Sequence, residues 1–116
     1  MKKKIGQDGE EQALSFLEGK GYMILTRNFR SRFGEIDIIA YEKKTNYTVF
    51  VEVKTRTNLA VGRAEESITA TKKQRMLKTA MYYLAIHPTE YIRFDLVAIN
   101  LFEENAIMHL ENIIEA

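Results

Sequence analysis

The chain has 116 residues, 46% of them hydrophobic, no cysteine, and 17 Lys and Arg against 16 Asp and Glu for a formal net charge of +1. That is enough for one domain with a real core and too little for two; it excludes disulfides, thiolate chemistry and Cys-ligated zinc, and the two histidines, His87 and His109, are too far apart for a His-rich centre. Any affinity for nucleic acid must come from local basic clusters, and without a long apolar run the chain is expected to be cytosolic, with no membrane partner.

Asp8 reads as a helix N-cap, with Glu11 at capping-box spacing. The helix is expected to run to about Lys20, where Gly19 and Gly21 supply stop signals. Glu10, Ala13, Leu14 and Leu17 share one face. Glu10 is the odd member, because a carboxylate at the start of an apolar stripe is costly to bury alone; an acid in a first turn also simply complements the dipole. Residues 22–27 read as a strand. Residues 28–33 read as a basic, aromatic-bearing connector that includes Arg30 and Arg32.

Residues 34–40 and 49–54 read as two strands of a hairpin closed by the polar stretch 42–47. Residues 55–67 read as an irregular polar loop beside the site, carrying Arg56 and Arg63. The second helix is expected to start near Thr71, with Gln74 at capping-box distance, and to stop at Pro88. Leu77, Ala80, Met81 and Leu84 supply its apolar stripe. Lys72, Lys73 and Arg75 crowd its N-terminus against the macrodipole, which suits a phosphate contact; the plainer account is that they point into water. Residues 93–99 read as a further strand and residues 107–110 as an edge strand, where His109 is structural rather than catalytic. The order predicts an α/β fold, a mixed sheet flanked by helices.

The hairpin carries the chemistry. In residues 49–54 the valines share one face, while Phe50, Glu52 and Lys54 share the other. By the same alternation Glu35, Asp37 and Ile39 share a face. A hairpin symmetric about Lys44 and Thr45 sets Asp37 opposite Glu52 and Glu35 opposite Lys54, with directly opposed Cβ atoms roughly 4.5–5.5 Å apart. Two carboxylates so placed repel, and a hard divalent cation turns that cost into a binding site. Lys54 stands where it can neutralise a phosphate. The bland alternative is the solvated face of an edge strand.

Gly9-Glu10 before Ala13, the run Asn28-Phe29-Arg30-Ser31-Arg32-Phe33-Gly34-Glu35-Ile36-Asp37, then Phe50-Val51-Glu52-Val53-Lys54-Thr55-Arg56, Lys72 and Arg93-Phe94-Asp95 together resemble the YraN family. These bacterial proteins are expected to be nucleases related to archaeal Holliday-junction resolvases. The resemblance covers nearly the whole chain and implies a restriction-endonuclease-like core. It implies that Asp37 and Glu52 hold Mg²⁺ or Mn²⁺ together with the Val53 backbone carbonyl, that Lys54 orients water or neutralises phosphate, and that Glu10 completes the site. Arg30, Arg32, Arg56, Arg63, Lys72, Lys73 and Arg75 would then hold a nucleic-acid backbone, DNA before RNA. Cutting both strands of a junction calls for a homodimer. The competing readings are a non-catalytic nucleic-acid-binding module of the same fold and a protein-interaction domain.

Overall fold

Between residues 22 and 56 apolar and polar side chains alternate, and the chain folds into a three-stranded antiparallel meander. The computed structural model describes residues 2–56, 68–100 and 106–114. Helix α1 (Lys2–Gly19) precedes strands β1 (Tyr22–Ser31), β2 (Gly34–Glu42) and β3 (Tyr47–Arg56). Helix α2 (Ala70–Ile86) and strands β4 (Ile92–Asn100) and β5 (Ala106–Leu110) follow. One mixed sheet results, in the order β1-β2-β3-β4-β5, antiparallel except for the parallel β3–β4 pair. The parallel step comes from α2, which carries the chain back to the starting end of the sheet.

The two helices cover opposite faces. Val49, Val51 and Val53 alternate onto the α1 side, where they meet Ala13, Leu14 and Leu17. Phe50 and Phe94 turn the other way, stack at 5.2 Å and meet Met76, Ala80 and Tyr83 of α2. Strand β4 is buried on both faces, which is why it reads as a nearly continuous apolar run. Its exception is Asp95, fully buried. That carboxylate accepts from Arg93 Nε and Nη2 (2.9 Å each), His109 Nε2 (2.8 Å) and the Asn112 N–H (3.0 Å). Burial alone would raise its pKa, but these hydrogen bonds hold it below the usual carboxylate range. His109 thus serves a buried carboxylate on the α1 side of the sheet, where it also packs on Phe16 and Tyr22. No described helix is long and apolar enough to cross a membrane.

Several boundaries differ from expectation. Helix α1 begins before Asp8, which lies inside it rather than capping it; the preceding lysines are good helix formers and extend it. Strand β1 runs on to Ser31, so most of the expected connector pairs with β2 and satisfies its backbone there. Thr55 and Arg56 belong to β3, and the rest of the expected loop, Arg63 included, lies outside the described residues. The N-cap of α2 is Thr69, whose hydroxyl accepts from the Lys72 N–H at 3.1 Å. Its buried stripe is Met76, Thr79, Ala80 and Tyr83, while Met81 is 69% exposed. Tyr83 sets that rotation, because its ring packs edge-on against Phe29 and Phe50 at 5.4 and 5.9 Å.

Helix α1 lies close against the sheet at Gly9. A Cβ added there would stand 1.9 Å from Thr55 Oγ1 and 3.1 Å from Thr55 Cβ. Gly9→Ala is therefore expected to destabilise the protein by about 1–3 kcal/mol, the usual cost of overpacking, despite alanine's better helix propensity. Thr55→Ala in the same chain should recover part of the loss. Urea unfolding of the parent, both single variants and the double variant measures this coupling, and additive effects would show that the two residues do not meet.

Candidate active site

The β2–β3 turn sets the register. Asn46 takes the left-handed conformation (φ 64°) that asparagine tolerates, and its N–H donates to the Glu42 carbonyl at 2.8 Å. Ile38 then pairs with Val51, Ile39 with Phe50 and Ala40 with Val49. This is the register that hairpin symmetry predicts. The paired ladder stops at Ile38 and Val51, so Asp37 and Glu52 stand just past its end, where β2 and β3 part.

A second irregularity turns Asp37 into that fork. The β1–β2 ladder skips from Arg27–Ile38 to Phe29–Ile36. Between them Asn28 is left-handed, with φ 52°. Ile38 packs on the α1 side and Ile36 on the α2 side, although they are two residues apart. Strict alternation, which would have kept Glu35, Asp37 and Ile39 on one face, is therefore broken at Asp37. Its carboxylate lies between the strands, and Oδ2 accepts from the Val53 N–H at 2.7 Å.

The electrostatics follow from crowding. Burial pushes the Asp37 carboxyl up to about 8; the charge of Glu52 and a hydrogen bond with it add to the rise, and the Val53 N–H opposes it. The Glu52 side chain is only 7% exposed and is ion-paired to Lys72 in the first turn of α2. Glu10 is half-buried and its carboxyl is raised, first by burial and then by the Glu35 charge, with Arg27 opposing. Asn28 joins the last two acids: its amide nitrogen donates to Glu10 Oε1 at 3.0 Å and to Glu35 Oε1 at 2.8 Å. Four acids thus gather where α1, β1, β2 and β3 meet. Among the described residues no three acidic or imidazole groups surround one point as a ready ligand set. An ion that needs only one or two carboxylates, with water and phosphate oxygens for the rest, still suits the Asp37–Glu52 pair.

The remaining candidates are spread around this centre. Lys54 is exposed and has no carboxylate partner among the described residues. Lys72, expected on a basic rim, instead reaches Glu52; its position against the helix dipole was the visible signal, and its partner was not. Glu35 and Asn28 were not singled out as site residues, though Glu35 is one alternation from Asp37. Arg30 pairs with Glu35 at 3.4 Å on the surface. Arg32 and Arg75 line a cleft of about 560 Å³ with Gly34, Thr71 and Lys78. Lys73 is half-buried in the first turn of α2, and Arg56 lies opposite Asn100 at the end of β3.

The raised Asp37 carboxyl has a stability consequence. A group that binds its proton more tightly when folded contributes most below its ordinary value of 3.8 and loses that contribution as pH rises to about 8. The loss is at most about 1.4 kcal/mol per pH unit. Asp37→Asn mimics the protonated form, so metal-free Asp37→Asn protein should unfold at a higher temperature than the parent, by a margin that widens between pH 5 and 8. Thermal unfolding across that range checks it, and a constant margin would contradict the crowding.

Residues 9–99 match the model of the uncharacterised protein family UPF0102. A UPF0102 protein of Thermodesulfovibrio yellowstonii is 46% identical over 110 residues, 94% of each chain. One of Clostridium botulinum is 46% identical over 102 residues, 85% of this chain and 81% of the other. One of Caldicellulosiruptor saccharolyticus is 41% identical over 111 residues, 94% and 92% of the two chains. Among solved structures, Pyrococcus furiosus SfsA in complex with Ca²⁺ aligns with 92% of this chain and 61% of that one, at a TM-score of 0.26 and 14% identity, too low to support a fold assignment. The motifs that resemble YraN and the identity over nearly the whole chain agree: the chain belongs to the uncharacterised protein family UPF0102.

Proposed function

We propose that this protein is a metal-dependent nuclease with a restriction-endonuclease-like core that hydrolyses phosphodiester bonds in nucleic acid, as an endonuclease on branched or otherwise structured DNA. The observation that carries the reading is the buried Asp37–Glu52 pair at the fork of β2 and β3. Two touching carboxylates out of water are a standing cost unless a cation uses them. Asp37, Glu52 and the Val53 carbonyl would hold Mg²⁺ or Mn²⁺. The carbonyl suits this because a strand residue presents N–H and C=O to the same side, and the Val53 N–H already points at Asp37. When bound, the ion supplies charge stabilisation to the phosphodiester and acidifies water.

The other groups have separable tasks. Glu10, tied to Glu35 through Asn28, closes the acidic centre from α1. Lys72 neutralises Glu52 and fixes its rotamer. Lys54, exposed one alternation further along β3, is left to meet a phosphate oxygen. The basic groups of the β1–β2 turn and the first turn of α2 hold the backbone without reading bases.

A non-catalytic nucleic-acid-binding module is favoured by one observation, that Lys72 already neutralises half of the acid pair without a metal. Cleavage separates the readings. Branched, single-stranded and duplex DNA incubated with Mg²⁺ or Mn²⁺ should be cut, and EDTA should abolish cutting. Asp37→Ala and Glu52→Ala should each lower the rate about 10²-fold or more, the scale of losing one preorganised electrostatic group, while salt-sensitive binding survives. Binding without cleavage under every metal and substrate would leave the non-catalytic module standing.

A further inference from the structure

Phe33 is an aromatic residue outside the buried core of the described residues. It sits in the two-residue turn between β1 and β2 and, among the described residues, belongs to none of the apolar clusters of the sheet. It touches charge and another ring instead. Arg32 Cζ lies 4.9 Å and Lys78 Nζ 5.1 Å from its centroid, and the Tyr82 ring is 5.9 Å away at a 48° tilt. Tyr82 is 44% exposed and, with Met81 and Lys78, lines an apolar cleft of about 280 Å³ against Phe33. The polar cleft of about 560 Å³ adjoins it and is lined by Arg32, Arg75 and Lys78. Among the described residues none of these three cations has a carboxylate partner.

The turn is held in place. Ser31 Oγ shares a hydrogen bond with Thr79 Oγ1 at 2.8 Å and accepts the Phe33 N–H at 3.0 Å. Gly34 lies against α2, where an added Cβ would make an ordinary contact with Arg75 Cβ at 3.5 Å. The rings and cations are therefore presented on two docked elements, not on an independent loop.

A half-open aromatic surface beside uncompensated cations selects a ligand that carries a flat ring and an anion about one sugar apart. A nucleotide with an unstacked base is such a ligand, since stacking on aromatic rings and cationic tracking of the backbone are the two terms of single-strand binding. A duplex keeps its bases against each other and offers its phosphates. We propose that Phe33 and Tyr82 form a stacking platform for an unpaired base, with Arg32, Arg75 and Lys78 on the neighbouring phosphates. The polar cleft beside the platform reaches Gly34 and Thr71, the chain neighbours of Glu35 and of Lys72, which pairs with Glu52. The inference rests on the nuclease reading and narrows its substrate to nucleic acid with an unpaired segment beside the scissile phosphate.

The chain contains no tryptophan, so Phe33→Trp places a single tryptophan, excited apart from the six tyrosines, on the platform. In EDTA, which prevents cutting, oligodeoxythymidine of about 12 nucleotides, within the site size of one small module, should quench that emission. An abasic oligonucleotide of the same length should bind the native chain about tenfold more weakly by fluorescence anisotropy, a loss within the range for one stacked base. Phe33→Ala and Tyr82→Ala should remove the difference between the two oligonucleotides. Equal binding of both by the native chain, or saturating binding with unchanged tryptophan emission, would overturn the platform and leave metal-dependent cleavage standing. Failure to bind any nucleic acid would overturn the nuclease reading as well.

Discussion

The hydrogen bond from the Val53 N–H to Asp37 is the contact on which the candidate site hangs. A central strand whose neighbour departs leaves backbone donors facing no partner, and each must be satisfied. Here β2 pairs with β3 only from Ile38 onward, and the carboxylate of Asp37, just before it, takes the place of the missing ladder. One side chain thereby caps an open strand and brings a second acid against Glu52. The site and the sheet irregularity are one feature: restoring regular pairing would return Asp37 to a face of the sheet and take its carboxylate off the Val53 N–H.

That fork is braced from both sides by small residues and short polar links. Asn28 leaves its own ladder in the left-handed conformation and ties Glu10 to Glu35. Gly9 lets α1 approach Thr55 closely enough for Glu10 to feel Glu35, Glu52 and Arg27. From the other face α2 contributes Lys72 to Glu52 and Thr79 to Ser31. The apolar cores do the bulk of the folding; these contacts decide where the charges stand. The cost of holding like charges together is one that functional sites commonly carry.

The neighbouring strand β4 offers a contrast. Asp95 is more deeply buried than Asp37, yet its carboxyl is lowered rather than raised, because Arg93, His109 and a backbone N–H all donate to it. Asp37 has one backbone donor and an acidic neighbour. Burial alone therefore does not mark a functional acid. What distinguishes the two is whether the surrounding groups satisfy the charge or compete with it.

Much of this was legible in the chain. Period-two alternation located the strands and the face shared by Phe50 and Glu52, and hairpin symmetry set the register that Ile38–Val51 obeys. Length and loop chemistry suffice for that, because pairing between adjacent strands is local. The stripe of α2 holds at Leu77, Ala80 and Leu84 but not at Met81, since Met81 looks as apolar as Met76 and only the fit of Tyr83 against Phe29 and Phe50 chooses between them. The partner of Lys72 was hidden because it lies across the parallel crossover. The sideways turn of Asp37 was hidden too, since it depends on a left-handed Asn28 in a neighbouring strand. Composition and periodicity by themselves determined the elements, the hairpin register and the acids; tertiary packing alone decided which lysine meets Glu52 and where Asp37 points, because those depend on contacts between segments far apart in the chain.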